Sequence, residues 1–300
     1  MILKLTPSLK SYIWGGTNLK TKWNKLSTEP TIAESWELSL NDAGMCFVRG
    51  GEQDGKPLSE VLKPEDMGVN CKDFPFFPVL VKLIDAATPL SLQVHPTDEY
   101  ALLHEGKYGK TEMWHILDAT EDAYIYLGFK YNVTKEQFVN ALNNKTLTDL
   151  LNKVNVAPNQ TYWVPSGTIH AIGAGVTLIE IQQNSDLTYR VYDYDRKGAD
   201  GKLRELHVDK ALDVLNFDKY DVPDPERESL LGKCKYFSAY RYQGERSFCF
   251  TDSFASITAL DGGLRVNDVA LKRGETAFVS AGTKIRVQVA GSYCLVRVEK

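Results

Sequence analysis

The chain has 300 residues, 43% of them hydrophobic and 25% charged, enough for two compact domains or one large domain with an appendage. A net charge of −4 offers no basic excess for a nucleic-acid partner, so an anionic ligand has to be held by a few local cations. Five scattered cysteines without a CxxC pair, no signal-peptide core after Met1, and no run near the roughly 20 apolar residues of a membrane span predict a cytoplasmic protein with reduced thiols and no membrane partner.

The N-terminal part reads as short strands and loops, with a turn at Trp14-Gly15-Gly16. Ala33 to Leu40 predicts a half-buried strand, with Trp36, Leu38 and Leu40 on one face and Ser35, Glu37 and Ser39 on the other. Lys56 to Leu62 predicts a short helix with Pro57 in its first turn. Phe74 to Asp85 is a strand region, irregular at Pro75 and Pro78 and then apolar from Val79 to Ile84 except at Lys82. After a turn at Asp85 to Pro89, Leu90, Leu92 and Val94 alternate with Ser91, Gln93 and His95, which puts a hydroxyl, an amide and an imidazole on one strand face.

Thr97 to His104 predicts a short helix that stops at Gly106. Beyond Tyr108-Gly109 comes a strand carrying Lys110, Glu112 and Trp114 on one face, with His115 pointing the other way. Ala123 to Phe129 is aromatic and β-branched, suited to the neighbouring place in the sheet. Thr134-Lys135-Glu136-Gln137 opens a helix with a capping box, and a second short helix starts at Thr146. Strands return at Thr161 to Val164 and Val176 to Gln182, on either side of the turn Pro165-Ser166-Gly167. Tyr189 to Tyr194 alternates once more, Lys197 to Gly201 is a turn, and Val208 to Leu215 is helical. His104 near a helix end and His207 before a helix read as local structure. Asp218 to Lys233 reads as a linker, followed from about Cys234 by a β-rich segment with no histidine. The expected organisation is a catalytic unit at 1–230 and a small β-domain at 234–300 without a metal site.

Gln93 and His95 are two apart on a strand and share a side, so both can reach one ion. Together with Glu112 and His170 they supply neutral nitrogen, carboxylate and amide oxygen, a set suited to Zn²⁺ or another borderline divalent ion inside a β-barrel. Taken singly, each is equally at home on a solvated strand face. The set, with no cysteine nearby, points to an open site with room for substrate rather than a closed structural knot.

Pro165-x-Gly167-x-x-His170 resembles the second signature of cupin barrels, and Gln93-Val94-His95 followed by Glu112 resembles the first, with Gln in place of the usual first His. The blocks SLQVHP, GKTEMWHIL, VPSGTIHAIG and IEIQQNSDLTYRVYDYDR together resemble the type I mannose-6-phosphate isomerase family in its compact form, over about residues 10 to 220. The resemblance implies a mainly β fold: a cupin jelly-roll barrel with a few short helices and a smaller cupin-like C-terminal β-domain. It implies interconversion of mannose 6-phosphate and fructose 6-phosphate through an enediol, with one Zn²⁺ per chain. It places the zinc ligands on Gln93, His95, Glu112 and His170 and a catalytic arginine on Arg190. Ser91, Lys110, Glu180, Asp186 and Lys82 become substrate-pocket positions, with Lys110 and Glu180 as candidates for proton transfer. Gly109 departs from members that carry a histidine before the lysine. A small-molecule sugar phosphate is the expected partner, in a monomer or homodimer. The alternatives are a cupin oxygenase with a two-histidine, one-carboxylate iron site, and a non-catalytic sugar-phosphate-binding cupin. Lys110 and Arg190 speak against the oxygenase, and the full ligand set speaks against the pure binder.

Overall fold

Antiparallel pairing joins the strands into sheets of seven, six, five and four strands in the computed structural model, which describes residues 1–198, 201–224 and 229–300. The mainly β expectation holds, with helices confined to short connections. Ala199 and Asp200 of the expected turn, and residues 225–228 of the expected linker, lie outside the described residues.

The six-stranded and five-stranded sheets face each other and make the barrel that carries every candidate site residue. Across the first, the order runs Thr161–Val164, Glu112–Ala119, Val176–Gln183, Val79–Ala86, Glu34–Leu38, Ser8–Lys10. Across the second it runs Tyr189–Tyr192, Leu92–Val94, His170–Ile172, Tyr124–Phe129, Leu151–Asn155. Ile84, Trp114, Ile116, Ile125, Leu127 and Leu178 fill part of the space between them. The outer face of the six-stranded sheet, with Val79, Val81, Leu83, Ile179 and Ile181, packs on Phe237, Phe254 and Phe278 of the C-terminal segment. Because this sheet is covered on both faces, Val79–Ala86 and Val176–Gln183 are buried at every position, which explains the mostly apolar run of the first; the second also buries Thr177, Glu180, Gln182 and Gln183.

Three sequence expectations change. Ala123 to Phe129 does form a strand (Tyr124–Phe129), but in the opposite sheet, between His170–Ile172 and Leu151–Asn155. Strand propensity says nothing about which sheet receives a strand. The strand at Glu34–Leu38 is buried on both faces, and a register shift between Trp36 and Leu38 separates two residues that simple alternation puts together. Trp36 points into the barrel cavity while Leu38 joins the core beneath the C-terminal sheet. The end of the linker, Leu230–Lys233, is the edge strand of the seven-stranded sheet.

Elsewhere the local chemistry decides as read. The Thr134 side chain accepts from the Gln137 N–H, and the Gln137 side chain accepts from the Thr134 N–H, closing the capping box of Lys135–Asn143. The expected second helix is one 3₁₀ turn, Leu147–Leu150, that leads straight into a strand. All five cysteines are free thiols. Among the described residues no helix is long and apolar enough to cross a membrane.

Candidate metal centre and active site

Register brings the candidate residues together. In the five-stranded sheet Gln93 stands opposite both His170 and Arg190 on its two neighbours, so three polar side chains form a row on one face. In the facing sheet Trp114, Glu180, Lys82 and Trp36 form a second row, strand by strand. The two rows look at each other across the barrel, with Glu112 beside the second.

His95, Glu112 and His170 converge at the bottom. Their ligand atoms all lie within 4.8 Å of one another, and each imidazole Nε2 is 3.5 Å from a Glu112 oxygen. The side-chain amide of Gln93 is 3.3 Å from His170 Nε2, and a half-turn of that amide brings its oxygen to the same place. His170 Nδ1 donates to the Thr168 carbonyl at 2.9 Å, which leaves the lone pair on Nε2 aimed at the cluster. Burial first, then the Lys110 cation, pushes His95 down to about 3, and burial likewise lowers His170. Both rings are therefore neutral, the ligating form. Burial by itself raises Glu112, but Lys110 and then His95 outweigh it and hold the carboxyl well below its ordinary range. Among the described residues, neither His95 nitrogen has a hydrogen-bond partner, and neither does Glu112 Oε1. Such orphaned buried groups are unfavourable by roughly 1–3 kcal/mol each, and a divalent cation would satisfy His95 Nε2 and Glu112 Oε1 together. The donor set fits a metal.

Above this cluster opens a cavity of about 370 Å³ lined by Ser91, Gln93, Lys110, Glu180, Lys82, Asp186 and Arg190, among others. Lys110 Nζ is 2.7 Å from Glu112 Oε2 and 3.6 Å from Glu180 Oε1, linking the metal cluster to the cavity. Lys82 Nζ is 3.3 Å from Glu180 Oε1 and 3.5 Å from Glu34, and it lies over the Trp36 ring. Trp114 Nε1 donates to Glu180 Oε2 at 3.0 Å and leaves Oε1 to Lys82 and Lys110. Burial, then the nearby Glu112 charge, raises Glu180 above the ordinary carboxylate range against the pull of Lys110 and Lys82. Arg190 Nη1 donates to the Glu205 carbonyl at 2.8 Å, and among the described residues no carboxylate pairs with it. Asp186 pairs with Lys107 at 2.8 Å and not with Arg190.

His115 turns away as its parity requires and meets Thr161 at 2.9 Å. His207 supports the site from behind: its Nδ1 accepts from the Arg190 N–H at 3.3 Å, and its own N–H donates to the Arg190 carbonyl at 2.7 Å. Sequence reasoning missed Tyr12, Trp14, Glu34, Trp36 and Arg204, which complete the cavity wall. Alternation already put Trp36 on a face of its strand, and Glu34, two residues back, shares that face. Arg204 lies beyond the last strand of the barrel, outside any periodic element.

A double-sheet barrel with two neutral imidazoles and a carboxylate at its floor, beneath a cavity of cations and carboxylates, defines a cupin built around a metal site. The model of the family described as phosphomannose isomerase type I, catalytic domain, matches residues 2–124. The chain is 39% identical over 267 residues to the mannose-6-phosphate isomerase ManA of Bacillus subtilis (strain 168), covering 85% of this chain and 84% of that protein. It is 38% identical to the probable mannose-6-phosphate isomerase GmuF of the same organism, covering 88% and 87%. The crystal structure of the mannose 6-phosphate isomerase from Bacillus subtilis superposes with a TM-score of 0.88 at 33% identity, covering 98% of this chain and 99% of that one. The chain belongs to the type I phosphomannose isomerase family.

Proposed function

We propose that the protein is a zinc-dependent aldose–ketose isomerase that interconverts mannose 6-phosphate and fructose 6-phosphate. The observation that carries this is the junction of two features in one barrel. A buried His95–Glu112–His170 cluster with unsatisfied donor atoms adjoins a cavity where Glu180 sits between Lys82 and Lys110 and opposite Arg190. Gln93, His95, Glu112 and His170 would hold the ion. Two nitrogens and oxygen donors suit Zn²⁺, which when bound polarises the sugar carbonyl and favours negative charge on the O1/O2 pair.

The remaining chemistry belongs to the chain. Glu180 lines the cavity, and burial holds its carboxyl above the ordinary carboxylate range, which suits a group that takes and returns a proton. In this reading the Glu180 carboxylate takes the proton from C2, the C–H electron pair forms the C1=C2 bond, and the Lys110 ammonium gives a proton to O1, yielding the enediol. Glu180 then returns its proton to C1 while O2 passes its own to the Lys110 amine, giving the ketose and restoring both side chains. The Lys110 ammonium, held by Glu112 at 2.7 Å, faces the reacting oxygens. Arg190 offers a guanidinium free of any carboxylate to the negative charge of the substrate. Lys82 keeps Glu180 in place, and Ser91 and Asp186 line the wall and rim. In this scheme residues 1–230 do the chemistry, and 234–300 form a β-unit that carries no metal cluster among the described residues.

The test is a coupled assay for fructose 6-phosphate formed from mannose 6-phosphate, repeated in D₂O. The expected result is turnover with solvent deuterium appearing on the carbon skeleton. Near-native turnover in Glu180→Gln, with deuterium still entering the carbon skeleton, would remove Glu180 as the proton carrier.

A further inference from the structure

The three segments that carry the metal cluster and Lys110 are bound to each other through their backbones. The Gly167 N–H donates to the His95 carbonyl at 2.8 Å and the Lys110 N–H to the Pro96 carbonyl at 3.0 Å. The Ser166 N–H donates to Thr111 Oγ1 at 3.2 Å, and the Thr111 N–H to Gln183 Oε1 at 2.8 Å. Two of these threads end on one carboxylate. Asp98, three residues past His95, accepts from the Gly109 N–H at 2.9 Å and from Gln183 Nε2 at 2.7 Å, both on Oδ1. Its other oxygen accepts from the hydroxyl of Tyr236.

Tyr236 comes from the C-terminal segment. It sits in the tight turn between Leu230–Lys233 and Ser238–Gln243, where the Cys234 N–H donates to the Phe237 carbonyl. Its ring is buried between Phe74 and Tyr108, with centroids 5.3 and 5.4 Å away, so the hydroxyl has little freedom to leave Asp98. Burial and then Asp98 raise its pKa, which keeps it a proton donor at working pH. Gly109 shows how close the fit is: a Cβ there would lie 2.4 Å from the Thr97 carbonyl carbon and 2.6 Å from the Pro96 carbonyl oxygen.

We infer that Tyr236 is a positioning residue for the isomerase reaction: through Asp98 it fixes the segments of His95, Lys110 and Glu112 and so makes the C-terminal unit part of the active site. The inference rests on the isomerase reading for its kinetic arm and is independent of it in its structural arm. Partners that orient metal ligands at one remove contribute roughly 10- to 100-fold. Tyr236→Phe removes the hydroxyl and keeps the ring. Its expected effect is a fall in kcat of about tenfold with KM for mannose 6-phosphate nearly unchanged. Faster amide hydrogen exchange should appear over residues 109–112 and 166–168. Asp98→Asn keeps an oxygen for Gly109 and Gln183 and an amide for Tyr236, so it should fall between native and Tyr236→Phe in both readouts. Tyr240→Phe loses a comparable bond, to Glu299 at 2.7 Å within the C-terminal sheet, and should leave both unchanged. Native kcat and native exchange in Tyr236→Phe would overturn the inference. Equal loss in Tyr236→Phe and Tyr240→Phe would overturn it too, by reducing the effect to general stability. A native protein that does not isomerise mannose 6-phosphate fails the functional reading, while the exchange measurement still decides the role of Tyr236.

Discussion

Arg190 differs from Lys82, Lys110 and Arg204 in its company. Lys82, Lys110 and Arg204 each face a carboxylate, whereas Arg190 is held by the Glu205 carbonyl and by His207 on its backbone. An arginine kept in place but electrically uncommitted is ready for a negative substrate. Arg190→Ala should lower kcat by at least roughly a hundredfold, the scale of losing one charge-stabilising donor, with the thermal midpoint little changed. Near-native turnover in that variant would take Arg190 out of the mechanism. Asp193 shows the opposite arrangement, gripped by both Arg196 at 2.6 Å and Arg204. Burial pulls its pKa up, but Arg204 and then Arg196 outweigh this and hold it below the usual carboxylate value. A depressed folded pKa stabilises above the unfolded value, and the gain disappears as pH falls through the folded one. The difference in stability between native and Asp193→Asn should therefore be constant near neutrality and shrink below about pH 4. A gap that persists unchanged well into acid would show that the two arginines do not act through this charge. At this scale His95 and Glu112 were legible because a chemical type at a defined parity is a local property, whereas His170 was marked by its turn and not by alternation; the three side chains do converge. Asp98 and Tyr236 were not legible, because nothing local distinguishes a surface-like Asp or a turn Tyr until tertiary contact joins them.

Element boundaries were legible where a cap or a turn residue decides them. Thr97 and Thr134 start helices as their sequences imply. What sequence did not show is how neighbouring elements touch. The register shift in Glu34–Leu38 comes from pairing with Val79–Ala86, so Trp36 and Leu38 were put on one face and lie on two. Strand Tyr124–Phe129 went to the other sheet for the same reason, since partner choice is a long-range matter. The departure at Gly109 also becomes physical here. The segment from Pro96 to Asp98 runs so close that no side chain fits, and the backbone N–H is used by Asp98. Gly109→Ala should destabilise the protein by about 1–3 kcal/mol, the range for forcing atoms into a filled space, measured by urea unfolding. An unchanged midpoint would mean that the approach relaxes freely and that glycine is not required there.

At the scale of the molecule, the chain closes on itself in a way composition never suggested. Strand Ile2–Thr6 pairs with Thr276–Val279 and, on its other side, with Phe47–Val48, so two early strands extend the sheet of the C-terminal segment. Buried Lys25 adds a second tie, reaching Glu37 at 2.5 Å and the Gly274 carbonyl at 2.6 Å. The C-terminal unit, which the sequence marked as a small β-domain without histidine, thus covers one face of the barrel sheet and holds its site-bearing loops through Tyr236. The barrel itself is organised around the buried cluster at its floor, and the central claim is that a metal held there makes the isomerase. It is tested most directly by measuring mannose 6-phosphate isomerisation in protein stripped by a chelator, verified metal-free by elemental analysis, and then titrated with Zn²⁺. Activity should vanish on stripping and return in proportion to zinc bound, saturating at one ion per chain. Undiminished turnover in the verified metal-free protein would contradict it.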